Sequence, residues 1–259
     1  MADEAREPLD FTGSVVVVTG GTRGVGRAVA ETFLGVGAHV VVCARRAPDE
    51  LPEHHGAAAS FVTADVRRHE EAADVIRAAV QRHGRLDVLV NNAGGSPSVP
   101  AAETSPNFFT SVVTLNLLAP FFCAQAANAV MQGQDSGGSI LNIASVSALR
   151  PSPGAAAYGA AKAGLVNLTR TLAVEWAPKV RVNCVVAGLL QTGAAVEHYG
   201  GPDGLQAVAD TVPLGRLGTA LDVAKVCLFL ASPLADYVTG AAVEVHGGGE
   251  RPAYLTALG

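Results

Sequence analysis

The stretch SVVVVTGGTRGVG, Ser14–Gly26, decides the fold. Its unbroken valines suit a strand buried on both faces, as in a parallel sheet covered by helices on each side. The following TGGTRGVG, Thr19–Gly26, is a glycine-rich turn of the kind that lets a strand fold tightly into a helix and lets the backbone approach a pyrophosphate. Such a group sits at the positive N-terminus of a helix beginning near Gly26. Gly20, Thr22, Arg23, Gly24, Val25 and Gly26 are therefore candidate contacts to a dinucleotide.

Working outward, similar β-branched runs recur at 39–44, 60–66, 86–92, 139–145, 180–186 and 241–247. Helical patterns at 27–35, 69–83, 107–131, 158–176 and 222–231 separate them. Alternating strand and helix predicts an α/β fold: a Rossmann-like, doubly wound parallel sheet of seven strands with helices on both faces. One dinucleotide-binding and catalytic domain over 1–259 is expected, with 52–60 and 132–139 as loops. The segment 189–218 is rich in Gly, follows the sixth strand and reads as a lid over the carboxyl ends of the strands, where ligands bind.

A chain of 259 residues, 49% hydrophobic and 16% charged, suits one well-cored domain. Its net charge of -5 provides no basic field for a nucleic acid. The opening MADEAREPLDFTG has neither the basic nor the apolar region of a signal peptide. No apolar run approaches the roughly 20 residues that cross a bilayer. Cys43, Cys123, Cys184 and Cys227 are far apart without CxxC spacing, which predicts buried free thiols, no metal site and a reducing cytoplasm.

NAD-binding sheets place an acid about 20 residues beyond the glycine turn, on the ribose hydroxyls. Here the second strand ends CARR, with Ala44 in that place and Arg45 next. Arg45, and Arg23 from the other side, can pair with a 2′-phosphate that an acid would repel, so NADP(H) is favoured over NAD(H). Asp65 and Val66 are placed along the adenine. NNAG, Asn91–Gly94, closes the fourth strand, and Asn92, Ala93 and Gly94 let a cofactor lie across the strand ends.

In YGAAKAGL, Tyr158–Leu165, Tyr158 and Lys162 share one helical face. A phenol with a pKa of about 10 acts as a base near neutrality only if its anion is stabilised by roughly three units, about 4 kcal/mol. The Lys162 ammonium and an oxidised nicotinamide have the right sign to lower it. Small residues at 159–161 are expected to leave room for cofactor and substrate. Ser145, at the end of the fifth strand, is placed to donate to a carbonyl oxygen and to hold Tyr158, with Ser147 and Ser152 as nearby alternatives. Asn116 lies in an apolar helix four residues before Pro120, which has no N–H for the Asn116 carbonyl. That carbonyl is expected to hold a water linked to Lys162.

With TGxxxGxG, NNAG, Asn116, Ser145 and YxxxK in this order, the chain resembles the short-chain dehydrogenase/reductase family in its compact form, from about Gly13 to Gly249. The resemblance implies hydride transfer between the nicotinamide C4 and a carbonyl carbon. Tyr158 is then the acid/base, Lys162 holds the ribose and lowers the phenol pKa, Ser145 orients the oxygen, and Asn116 completes the relay. It also implies that Gly188, Leu190 and Thr192 contact the nicotinamide amide, and that a homotetramer forms through the helices at 107–131 and 158–176. Two departures stand out: Ala187 where the family carries Pro, predicting a looser turn, and His246 where it carries Asp, at a subunit contact.

The lid contains Leu189, Leu190, Ala194, Ala195, Val196, Tyr199 and Leu205, which points to an apolar small-molecule substrate such as a hydroxyacyl thioester, a cyclic ketone or a steroid-like alcohol. Residues 250–259 extend past the last strand and either close a pocket or lie in solvent. A catalytically silent nucleotide-binding protein, an NAD-preferring dehydrogenase and an enzyme of dehydration or epimerisation are the alternative readings.

Overall fold

The computed structural model describes residues 7–191, 200–252 and 254. β1 (Val15–Thr19) is buried along its whole length, and its valines alternate between two cores. Val16 and Val18 face the core under α1 (Gly24–Gly35), whereas Val15 and Val17 face the core on the other side of the sheet. Full burial of a valine side chain stabilises by roughly 1.5–3 kcal/mol, so this run is held from both sides.

The sheet has seven parallel strands in the order β5, β2, β1, β6, β7, β8, β9, where β2 is His39–Ala44, β5 Ser60–Thr63, β6 Val88–Asn91, β7 Gly138–Ser145, β8 Val180–Ala187 and β9 Ala242–Val245. The chain winds outward from β1 through β2 to β5, returns to β6 on the opposite side of β1, and winds outward again. β1 and β6 thus flank the point where the direction of winding reverses, and the crevice at their carboxyl ends is where such sheets bind ligands. One face carries α1 and α7 (Ala220–Ala231), and the other carries α2 (His69–His83), α4 (Ala119–Gln132) and α5 (Ala156–Trp176).

Several boundaries differ from the sequence expectation. α1 begins at Gly24, α5 at Ala156 and α7 at Ala220, two or three residues earlier than the apolar periodicity suggests, because the first turn of a helix need not face the core. The expected loop at 52–60 contains a two-stranded hairpin, β3 (Glu53–His54) and β4 (Ala57–Ala58), turned by Gly56 at φ 83. Within the expected lid, Pro202–Thr211 forms α6, whose apolar side packs through Ala209 on Val212 and Leu217. Its Gly-rich approach obscures a helix only ten residues long.

The expectation that no segment is long and apolar enough to cross a bilayer is overturned. Pro106–Gln132 is continuously helical over 27 residues with mean hydropathy 1.5. It comprises α3 (Pro106–Val113), a π turn (Thr114–Leu118) and α4. Val112, Asn116, Ala119, Pro120, Cys123, Ala124, Ala127 and Met131 are buried within the protein, so the apolarity belongs to a core helix. All four cysteines are buried and free, as expected. Burial pushes the Cys43 and Cys227 thiols up to about 12 and Cys184 to about 11, and raises Cys123 as well.

Candidate active site

The glycine turn after β1 is built by its neighbours. Gly20 takes φ +62 and its N–H donates to Cys43 O at 2.9 Å. A Cβ on Gly26 would lie 2.4 Å from both Gly20 O and Asn92 Nδ2. Asn92, just beyond β6, donates from its amide to Thr19 O (2.9 Å) and Gly20 O (3.1 Å), and Thr19 Oγ1 accepts from the backbone of Asn92 and Ala93, both at 3.0 Å. Thr19 and Asn92 thereby tie the turn to the end of β6 across the reversal point. Sequence reading passed over Thr19, whose only signal is a hydroxyl at the end of a valine run.

At Gly24, φ +56, a Cβ would meet nothing within 4 Å. Arg23 caps α1 without a side-chain hydrogen bond, and no acid occupies the first turn. Here a helix N-terminus and its backbone donors open onto free space, which fits an anion. Thr22 and Val25 are half-buried, Val25 against the core, and Arg23 and Arg45 are exposed. Among the described residues neither guanidinium belongs to an ion pair; Arg45 acts at longer range on Asp65. Asp65 is bound by Arg67, which donates to it at 2.9 Å and holds its carboxyl below the usual carboxylate range. Val66 is 6% exposed, its side chain part of the core.

Ser145 ends β7, and Tyr158 and Lys162 project from the first turns of α5 toward it. Burial raises the Tyr158 phenol, and a hydrogen bond from Ser145 partly offsets this. Lys162 is 3% exposed, donates to Ile143 O at 2.8 Å, and lies 5.6 Å from the centre of the Tyr158 ring. Burial pushes its ammonium down to about 8. The expected lowering of the phenol by Lys162 is therefore not a property of these residues alone: the cation lies over the ring, bonded to a carbonyl, and desolvation disfavours both charged forms.

The small residues around Tyr158 serve packing. A Cβ on Gly159 would come within 2.9 Å of Ser147 O, one on Gly164 within 3.1 Å of Leu117, and Ala157 and Ala161 are buried. The room expected for ligands at 159–161 is thus largely taken by the Ser147 loop, with only Ala160 exposed. Gly94 does face the site: a Cβ there would lie 2.7 Å from Asn116 Oδ1 and 3.2 Å from Lys162 Nζ.

Asn116 sits in the π turn, where the Ala119 N–H reaches back to Thr114 O. The chain accommodates Pro120 by widening one turn, which the expectation of a regular helix missed. The Asn116 side chain is fully buried; Oδ1 accepts from Gly95 N (2.9 Å) and Nδ2 donates to Gly95 O (3.0 Å) and Val112 O (2.9 Å). A second buried chain runs beneath the site: Asn91 donates to Pro120 O and to Asn142, and Asn142 donates to Thr169 of α5. Polar Asn142 inside ILNIAS was the available signal for it.

At the far side, Ala187 stays in the ladder between Ser145 and Val245, and Gly188 N–H donates to Val245 O at 2.9 Å, so the turn is not loosened there. A Cβ on Gly188 would strike the His246 Cβ at 2.5 Å, and His246 pairs with Glu244. Leu190 bridges to Gly218. Thr192, Ala194, Ala195, Val196 and Tyr199 lie outside the described residues.

Residues 20–250 match the family described as enoyl-(acyl carrier protein) reductase. The crystal structure of a putative short-chain alcohol dehydrogenase from Sinorhizobium meliloti is 35% identical, superposes with a TM-score of 0.85, and is covered over 93% of this chain and 98% of that one. The chain belongs to the short-chain dehydrogenase/reductase family. Its relatives also include a probable 2,4-dienoyl-CoA reductase of Bacillus subtilis, 38% identical over 90% of this chain and 95% of that protein. The 3-oxoacyl-(acyl-carrier-protein) reductase FabG of Chlamydia pneumoniae is 35% identical over 93% and 98%. As a member, the protein is an oxidoreductase of CH–OH and C=O groups that uses a nicotinamide dinucleotide. The open, uncapped N-terminus of α1 and the glycine cradle beside it fit the phosphates of such a group.

A lysine whose pKa falls from 10.5 to about 8 on folding makes the native state relatively less stable while it is charged. The contribution is fully favourable above the unfolded value and is lost as pH falls through about 8. Between pH 10.5 and 7, Lys162→Met is therefore expected to gain about 3 kcal/mol of unfolding free energy relative to wild type. Urea titrations of both proteins across this range check it, and parallel pH profiles would overturn it.

Proposed function

We propose that the enzyme is an NADP(H)-dependent oxidoreductase that interconverts a secondary alcohol and its ketone. The observation that carries this reading is the convergence of Ser145, Tyr158 and Lys162 at the carboxyl end of the sheet, beside the uncapped helix that follows β1. When bound, the cofactor supplies or accepts the hydride, and its oxidised ring adds a positive charge. Tyr158 gives a proton to the substrate oxygen or takes it away. Ser145 donates its one hydroxyl hydrogen to that oxygen, or to the phenol when no substrate is bound. Lys162 holds the ribose and sets the potential at the ring. Asn116 braces Gly95 and Val112, and a water at its carbonyl, linked to Lys162, completes the proton path. Gly20, Thr22, Gly24, Val25 and Gly26 hold the pyrophosphate, Asp65 and Val66 border the adenine, and Asn92, Ala93, Gly94, Gly188, Leu190 and Thr192 line the nicotinamide side.

An apolar substrate is supported by Leu189, Leu205 and Val208 on the cluster under α6, and by the thioester-specific names of two relatives. A hydroxyacyl thioester is the first choice, then a cyclic ketone or a steroid-like alcohol. The chain works as one unit in the cytoplasm, with 189–218 as a lid.

Turnover of NADPH with acetoacetyl-CoA and cyclohexanone tests the reading. Tyr158→Phe is expected to lower kcat by roughly 10²–10⁴-fold while leaving the cofactor Kd nearly unchanged. Tight cofactor binding without turnover, equally unaffected by Tyr158→Phe, points instead to a silent nucleotide-binding protein.

Arg23 and Arg45, exposed and in no ion pair among the described residues, support preference for the 2′-phosphate. Replacing both with alanine is expected to weaken NADPH binding by roughly 10- to 100-fold and NADH binding far less, measured by fluorescence titration. Equal losses for both cofactors would sink the assignment.

A homotetramer is supported by apolar side chains left on the outer faces of α3, the π turn and α5: Phe109 is 41% exposed, Leu118 40% and Val174 81%. Sedimentation equilibrium is expected to give four times the chain mass, against a monomer mass if these faces stay open.

A further inference from the structure

The chain beyond β9 is fastened at two points. The Arg251 N–H donates to Thr211 O, the last residue of α6, at 2.8 Å. The Glu250 carboxylate is ion-paired with Arg150, in the loop between β7 and α5. The same guanidinium donates through its other terminal nitrogen to Pro151 O (3.1 Å) and Ser152 Oγ (2.9 Å). Ser152 donates to Ser147 Oγ at 3.0 Å, and the Ser147 N–H donates to Ser145 Oγ at 3.2 Å. Ser145 in turn acts on the Tyr158 phenol, partly offsetting its rise on burial. Arg150 Nε is buried without a partner among the described residues. Leaving such a donor unpaired is costly, so the group is not arranged for its own solvation.

We propose that Glu250 and Arg150 form a latch that, through Ser152 and Ser147, fixes the direction of the Ser145 hydroxyl, and that Arg251 ties α6 to the same latch. The proposal rests on the chemical roles given to Ser145 and Tyr158 above. A serine oxygen that accepts from a fixed N–H has one lone pair engaged, and its one hydrogen is left to point away, toward the phenol or, in its place, the substrate oxygen. The fixed N–H belongs to Ser147, whose side chain is held by Ser152, which is in turn held by Arg150. Arg150 and Glu250 are positioning residues: neither touches the reacting atoms. Breaking the ion pair frees the loop, lets the Ser145 hydroxyl rotate, and removes the donation that opposes burial at Tyr158. The Lys162 ammonium on the same helix lies 5.6 Å from the centre of the Tyr158 ring, the Cys184 thiol of β8 acts on Lys162, and both are unchanged in the variants below.

The full chain carrying Glu250→Gln, Ser152→Ala or both is assayed with NADPH and acetoacetyl-CoA, and in reverse with NADP and 3-hydroxybutyryl-CoA. Each single variant is expected to lower kcat roughly tenfold with a smaller change in KM and none in cofactor Kd. The rising limb of the kcat profile in the oxidation direction moves to higher pH, because the phenol loses its donor. The double variant falls no further than the worse single, as members of one series must, and Ser152→Thr retains activity. Additive losses, or an unshifted pH profile, overturn the positioning role. Hydrogen exchange gives a reading independent of turnover: Glu250→Gln is expected to speed exchange at Arg251 and across 146–155. Unchanged exchange there overturns the latch whatever the assay shows. Absence of turnover in the wild type, unaltered by Tyr158→Phe, bears instead on the proposed function.

Discussion

The site depends on keeping an ammonium in the core. Lys162 is 3% exposed, and among the described residues its one hydrogen-bond partner is the carbonyl of Ile143. A charge so placed costs several kcal/mol unless its surroundings are fixed, so the backbone around Ile143, the first turns of α5 and the segment at Gly94 must all hold their places. Gly94 approaches because it has no side chain, and Ala157, Ala161 and Gly159 let α5 close against β7 and the Ser147 loop. The same desolvation that lowers Lys162 raises Tyr158: it eases loss of the ammonium proton and opposes loss of the phenol proton. On the proposed reading, the positive charge of an oxidised nicotinamide is what favours the phenolate.

Two polar threads keep that arrangement in register. One runs from Pro120 through Asn91 and Asn142 to Thr169, joining the π-wound helix, two central strands and α5 through side-chain amides. The other joins Thr19 to Asn92 and Ala93 across the reversal point of the sheet. The paired amide donors of Asn91, Asn92 and Asn142 specify one alignment of strands more sharply than valines do, because a slip by one residue would strand several donors at once, although Asn91 Oδ1 is buried without a partner among the described residues.

Much of this is legible in the residues. The valine runs are unbroken, as strands covered on both faces require, and the Tyr158–Lys162 spacing places both on one face of a helix. What escaped depends on contacts between distant segments. The π turn accommodates Pro120 while the Asn116 side chain meets Gly95 and Val112, and the contact with the distant Gly95 is one that no local pattern displays. α6 is short, and its apolar side is matched to Val212 and Leu217 after the chain has turned. The small residues at 159–161 read as space for ligands, yet Gly159 is closed off by Ser147 and Ala161 is buried, which leaves Ala160 exposed. The hairpin at 53–58 is too short for strand propensity to mark.

The four thiols have a different bearing on how such a protein lives. Oxidants and alkylating reagents attack the thiolate, and burial holds Cys43, Cys184 and Cys227 at about 11–12 and raises Cys123, so the attackable form is scarce in the native state. A molecule that trades in reducing equivalents is thereby insulated from the peroxide and disulfide balance around it, and its cysteines become a record of unfolding instead of a sensor.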